Sequence, residues 1–564
     1  MTELVKIKLF LLAIISVFVF YSNSDSMPPH PDMMNGLSRS GGEIIQYFKA
    51  FPDFEERGIN NVSPKINYTG YSRGYTSSGK FLTILVEFAD VPSSVDESFF
   101  DSLIYNDNYG TVRDYYDEVS YGKLNITTAD YPSDIGWITL PESCGYYANG
   151  KHGFGGYPNN AQKMVIDAIN QADSMIDFSK YDNDNDGEVD GIIVVHSGPG
   201  AEFTGENYHI WSHKWQIPPT FKDGVYIEDY TTMPEYWESP GDMTIGVYCH
   251  EIGHILGLPD LYDLDGSSAG IGVWSLMSHG AWNGDKGSSP AHPDAWSRIK
   301  LGFCRALNID EEIKNCGITA VESEPEIYRL WKNGKFENSY FLVENRQRIG
   351  YDSALPGEGL LIWHIDESQS NCKREWFPES DSWGHYKVAL EQADGNWDLE
   401  KNNNRGDSGD PFPGSNMNSD FNRKTSPSSD DYEGSLSGVC VENIVSYGEE
   451  IYADLWVSTY KELEDLNTAY EMEDSFIAQN YPNPFNGETA ITFTIPEPDR
   501  VTIRIFNLNG QEIRKLADGY YSAGIHQIKW DATNYTGKSV ASGYYFYHFE
   551  TSERTLTRKM ALIK

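Results

Sequence analysis

One hydrophobic core rarely serves more than about 250 to 300 residues, so a chain of 564 residues is expected to hold three or four domains. Its net charge of -41 excludes a nucleic-acid partner, whose phosphates would be repelled. The same acidic surface offers carboxylates to calcium.

Residues 1–24 read as a secretory signal, with Lys6 and Lys8 ahead of an apolar run from Leu9 to Tyr21 and small residues after it. That run is short for a bilayer span, and no other stretch is apolar enough, so a mature chain without a transmembrane span is expected outside the cytoplasm. Export permits disulfides, and Cys304 with Cys316 are spaced for a local bridge, while Cys249 is expected as a buried free thiol. Residues 25–78 are polar and read as a pro-region. They contain no Cys, so a cysteine switch is excluded; His30, Asp32 or a free amino terminus could block a metal, and a plain linker has the same composition.

Residues 79–307 are expected as the catalytic domain. Lys80 to Val91 is the continuous apolar run of a buried strand, and Ala161 to Met175 has helical spacing, which together predict an α/β core. Asp182, Asp184, Asp186 and Asp190 then fall in a loop where Gly187 permits a sharp bend, matching the first nine positions of a calcium loop. The twelfth position is Ile193 in place of a bidentate Glu, so the loop is calcium-like but truncated. His209 and His213 follow in HIWSHKW, where flanking tryptophans and the lack of an acidic companion favour a cleft wall over a second metal site.

The next stretch, Thr244 to Asp263, carries the chemistry. His250 and His254 lie one turn apart on a helix with Glu251 beside them, which suits a zinc ion bound by two neutral imidazoles and a carboxylate acting as general base on a water. Gly257 is placed to end the helix and turn the chain, so that Asp260 returns as a third ligand. Two core-facing histidines are the bland alternative.

HEIGHILGLPDLYD, followed by WSLMSHGAW and SPAHPDAWSRIKLGF, resembles the immune inhibitor A family of secreted zinc metallopeptidases. The resemblance implies an α/β, metzincin-like zinc peptidase core with His250, His254 and Asp260 as ligands and Glu251 as base. It also implies that Met277 lies beneath the metal in the turn known as the Met-turn. Many metzincins have a third His where this chain has Asp260, so His279 and Asp263 stand as alternates. Tyr262, His209 and His213 are candidates for the cleft or for the donor to the tetrahedral oxyanion.

Residues 308–457 read as a β-rich domain continuing the family region, and 458–474 as an acidic linker. In 475–564, TAITFTI and VTIRIF alternate cleanly and NLNG turns between strands, which predicts an immunoglobulin-like β-sandwich. QNYPNPFN, AGIHQIKWDA, SGYYFYHF and RKMALIK resemble the C-terminal sorting domains of the type IX secretion system. That resemblance implies a passage through the periplasm and across the outer membrane; an accessory sandwich is the other reading. The sequence thus predicts a secreted zinc endopeptidase zymogen that also holds calcium and cuts extracellular proteins. A catalytically silent adhesin or a calcium-dependent envelope protein on the same fold is the alternative.

Overall fold

The computed structural model describes residues 25–31, 79–458 and 480–564, apart from 265, 370–373, 379, 381–383, 433, 481, 496–497, 523 and 553–554. The signal at 1–24, the pro-region beyond Pro31, the linker from 459 onward and Cys372 lie outside the described residues. The chain divides into two compact units after Val457.

The first unit is built on a six-stranded mixed sheet. In chain order its strands are β1 (Asp25–Ser26), β2 (Leu82–Glu87), β3 (Ile138–Thr139), β4 (Ile192–Pro199), β5 (His213–Lys222) and β6 (Val225–Tyr236). They lie in the order β1-β5-β6-β4-β2-β3, parallel from β6 to β3 and antiparallel from β1 to β6. Strands covered on both faces need continuous apolar runs. Leu82, Ile84 and Val86 enter one core and Phe81 and Leu85 the other, and Ile192 to Val195 alternate in the same way.

Helix α1 (Ala161–Ala172) covers the first of these cores with Met164, Val165, Ala168 and Ile169. Helix α2 (Gly246–Ile255) lies in the second, with all ten of its residues buried. That second core continues into the downstream strands. A five-stranded sheet holds β7 (Arg305–Asn308), β9 (Glu326–Trp331), β10 (Ser339–Arg346), β11 (Gly359–Asp366) and β12 (Val388–Leu390). Leu342, Leu361 and Trp363 join the α2 core from one face of this sheet. Phe341, Val343, Leu360 and Ile362 face a third core, shared with the antiparallel strands β8 (Ile313–Ile318), β13 (Val439–Tyr447) and β14 (Glu450–Val457). Residues 79–307 and 308–457 are therefore packed around a common core.

This packing also corrects the expected bridge between Cys304 and Cys316. Both are free thiols, because Cys304 lies in the α2 core beside the Tyr121 hydroxyl and Cys316 lies in the third core. Cys249 is a buried free thiol on α2. Among the described residues no helix is long and apolar enough to cross a membrane.

The second unit is all β. A two-stranded sheet pairs β15 (Thr489–Ile495) with β18 (Gly524–Trp530), and a four-stranded sheet runs β17 (Glu512–Tyr521), β16 (Asp499–Asn507), β19 (Gly543–Glu550), β20 (Thr555–Leu562). Ile491, Phe493 and Ile495 meet Val501, Ile503, Ile505, Tyr547 and Phe549 in one core. Period-two alternation on both sheets produces that interior.

Candidate metal centre

Helix α2 has no polar side chain to cap its start, and its first amide donates instead to Gly287 O at 3.0 Å. At its far end Gly257 takes φ +95°, a region costly for residues with a Cβ. Leu258 N–H donates back to Gly253 O and Gly257 N–H to His254 O, each at 3.0 Å, which closes the helix and reverses the chain. Asp260 is thereby delivered to the face that carries both histidines.

Three donor atoms converge there. Asp260 Oδ1 lies 3.1 Å from His250 Nε2 and 3.3 Å from His254 Nε2, and the two Nε2 atoms are 3.1 Å apart. His250 Nδ1 faces Leu276 O at 2.9 Å and His254 Nδ1 faces Leu258 O at 2.8 Å. A carbonyl can only accept, so each Nδ1 carries the proton and each Nε2 turns a lone pair inward. Two lone pairs and a carboxylate at such distances repel one another unless a cation lies among them. Burial lowers the His250 pKa, which favours the neutral imidazole. The donor set, two imidazole nitrogens and one carboxylate oxygen, fits zinc and leaves a fourth position open.

Residues 68–303 match the family model "Immune inhibitor A peptidase M6, catalytic domain". A second match, residues 479–554, is to the FlgD Ig-like domain. Immune inhibitor A of Bacillus thuringiensis subsp. alesti is 30% identical over 307 residues, 43% of this chain and 43% of the relative. The pre-pro-metalloprotease PrtV of Vibrio cholerae serotype O1 (strain M66-2) is 26% identical over 320 residues, 46% of this chain and 33% of the relative. This chain covers less than half the length of either of these curated relatives. Among solved structures, FlgD from P. aeruginosa is 19% identical over 13% of this chain and 57% of its own, at a TM-score of 0.12.

Around the triad, Glu251 is fully buried on the same turn of α2. Met277 lies directly against the helix: a Cβ on Gly253 would meet its Sδ at 2.6 Å. The Tyr262 hydroxyl donates to Asp260 Oδ2 at 3.3 Å, the one oxyanion candidate of the three that touches a triad residue directly. The alternates for the third ligand stand outside the triad. Asp263 Oδ2 accepts from Ser267 Oγ and Ser268 N at 2.7 Å each, so it braces its own loop. His279 is buried with its ring centroid 6.2 Å from Tyr262, and burial, Arg405 and His250 all hold it neutral.

His209 and His213 are not brought to this face. His213 is buried in the α1 core, where its Nε2 meets the Tyr230 hydroxyl at 2.9 Å and its Nδ1 meets Trp211 O at 2.7 Å. His209 Nδ1 pairs with Thr204 Oγ1 at 2.8 Å. His30, considered above as a metal blocker, packs between the rings of Phe203 and Trp282 and is not one of the converging ligands.

Asp182, Asp184 and Asp186 bring one oxygen each within 4.8 Å of the others. Asp190 is not in that group; its Oδ2 accepts from Asn183 N and Nδ2, both at 2.8 Å, and so ties down the loop start. A second acidic group joins Asp394, Asp398 and Asp407. Asp410 beside it accepts from the Trp274 indole at 2.9 Å, and burial pushes its pKa up to about 7. Sequence reasoning missed the carbonyls of Leu258 and Leu276 that orient the histidines. Backbone acceptors leave no residue-type signal in the sequence.

Proposed function

We propose that this chain is a secreted zinc-dependent endopeptidase with a metzincin-like catalytic core. The observation that carries this reading is the convergence of His250 Nε2, His254 Nε2 and Asp260 Oδ1, with both Nδ1 protons committed to backbone carbonyls. Zinc held there would supply a Lewis acid for the scissile carbonyl and for a water. Glu251 takes the proton of that water and passes it to the leaving amine. Tyr262, whose hydroxyl already reaches Asp260, turns to donate to the developing oxyanion. The match to a peptidase catalytic domain supports extracellular proteins as substrates.

The remaining assignments form part of the same proposal. Residues 1–24 are the signal, 25–78 the pro-region, 79–307 the catalytic domain, 308–457 its β-rich continuation and 475–564 a sandwich recognised by type IX secretion machinery after export to the periplasm. Calcium at Asp182, Asp184 and Asp186 stabilises the loop before β4 and takes no part in the chemistry. The experiment is casein cleavage by the processed chain beside Glu251→Ala, with and without 1,10-phenanthroline. Cleavage that disappears in both arms supports the reading. A zinc-loaded, processed wild type that cuts no protein substrate sinks it and favours a silent adhesin.

A further inference from the structure

The turn that orients the metal ligands is itself held from outside the region matched to the catalytic domain. Leu276 O accepts the His250 Nδ1 proton at 2.9 Å, and Met277 O accepts Leu261 N–H at 2.8 Å, next to Asp260. One short turn therefore fixes both ligand-bearing segments. Leu276 N–H in turn donates to His292 O at 3.3 Å.

Arg346, the last residue of β10, reaches both anchor points of that turn. Its Nη1 donates to Trp274 O at 3.2 Å and its Nη2 to His292 O at 3.4 Å. The guanidinium is aimed by a bidentate pair, Nε to Asp352 Oδ2 at 2.8 Å and Nη2 to Asp352 Oδ1 at 2.7 Å, and Nη1 lies 3.3 Å from Glu344 Oε1. Arg346, Asp352 and Glu344 are fully buried. A planar fork with five donors can satisfy two carboxylates and two carbonyls at once, which an ammonium cannot. Arg298 joins the same buried network through Glu344 but no hydrogen bond links it to the turn.

We infer that Arg346 is a positioning residue of the metal centre, acting through the carbonyls of Trp274 and His292 on the Met-turn and thus on His250 and Asp260. The inference rests on the zinc reading above. It makes the downstream β-rich stretch part of the metal-binding unit and no mere appendage to it.

The test compares the zinc dissociation constant of the full chain, measured by competition with a chromophoric chelator, in wild type, Arg346→Lys and Arg298→Met, with the Tm of each metal-free protein. Arg346→Lys is expected to weaken zinc binding about 10- to 100-fold, the range for outer partners of metal ligands. Arg298→Met is expected to lower Tm while leaving zinc affinity unchanged. Folded Arg346→Lys with wild-type affinity overturns the inference, and so does an equal loss of affinity in both variants, which would mark a general packing role. If Arg346→Lys does not fold, Asp352→Asn takes its place, with several-fold weaker zinc binding expected and an unchanged constant counting against the inference. Wild type that binds no zinc defeats the zinc reading itself, before Arg346 is in question.

Discussion

The α2 triad and the Asp182–Asp186 loop each gather three potential ligands within 4.8 Å, yet they are built on opposite principles. In the triad, the imidazole nitrogens that do not face the centre are tied to the backbone, each Nδ1 being spent on a carbonyl, and the three residues are buried. In the loop the carboxylates are spent on their own turn. Asp182 accepts from Asp186 N and Gly187 N at 3.0 Å, Asp184 from Asp186 N at 3.2 Å and Asp186 from Glu188 N at 2.9 Å. Asp184 and Asp186 are also exposed. Buried ligand atoms converging on one point favour a cation there strongly; carboxylates already accepting amide protons gain less from one.

The sharpest way to break this contrast is to remove a triad ligand. His250→Ala is expected to abolish both zinc content and peptidase activity, while Glu251→Gln keeps the zinc and loses about 10²- to 10⁴-fold in kcat. Zinc analysis of the purified variants separates the two outcomes, and zinc retained by His250→Ala would undo the assignment. Next in size is Gly253→Ala. Its Cβ would press on Met277 Sδ at 2.6 Å, so a loss of about 1 to 3 kcal/mol from overpacking is expected, with a drop in activity as the turn bearing Leu276 O shifts. Wild-type Tm and activity would mean that the turn bearing Met277 is free to move.

Acid acts more gradually. Burial lowers His152, His196 and His213 to about 4, below the ordinary value of 6.5. The unfolded chain therefore binds more protons between those values, so the stability these residues lend is complete above about pH 6.5 and is lost as pH falls toward 4. Tm followed from pH 7.5 to 4.5 should decline, with a shallower slope in His196→Gln; identical slopes would assign the decline to other groups. The smallest effect is expected at the acidic loop. EGTA should reduce stability by no more than about 3 kcal/mol, read as a small drop in Tm, and Asp184→Asn should remove that response without altering zinc content.

The sequence revealed the local parts of this site and little of its surroundings. A four-residue spacing on a helix is enough to bring His250 and His254 to one face, and Gly257 marks where the chain can turn to return Asp260. At His209 and His213 the same spacing carried less weight than the flanking tryptophans, and neither signal says which core a side chain meets; His213 lies in the α1 core. Cys304 and Cys316 are near in sequence but are drawn into different cores. Arg346 could not be read at all, since its partners Trp274 and His292 are distant in sequence and are reached through their backbone atoms. The alternation of β10, with Leu342 facing one core and Phe341 and Val343 another, predicts a two-faced strand but does not say that one face belongs to the metal-binding core.

The most direct test of the central claim is anomalous diffraction at the zinc edge from crystals of the Glu251→Ala chain grown with zinc. The account predicts a single strong peak at about 2.0 to 2.2 Å from His250 Nε2, His254 Nε2 and an Asp260 carboxylate oxygen. A peak ligated by His279 or Asp263 in place of Asp260, or no peak on α2, would contradict it.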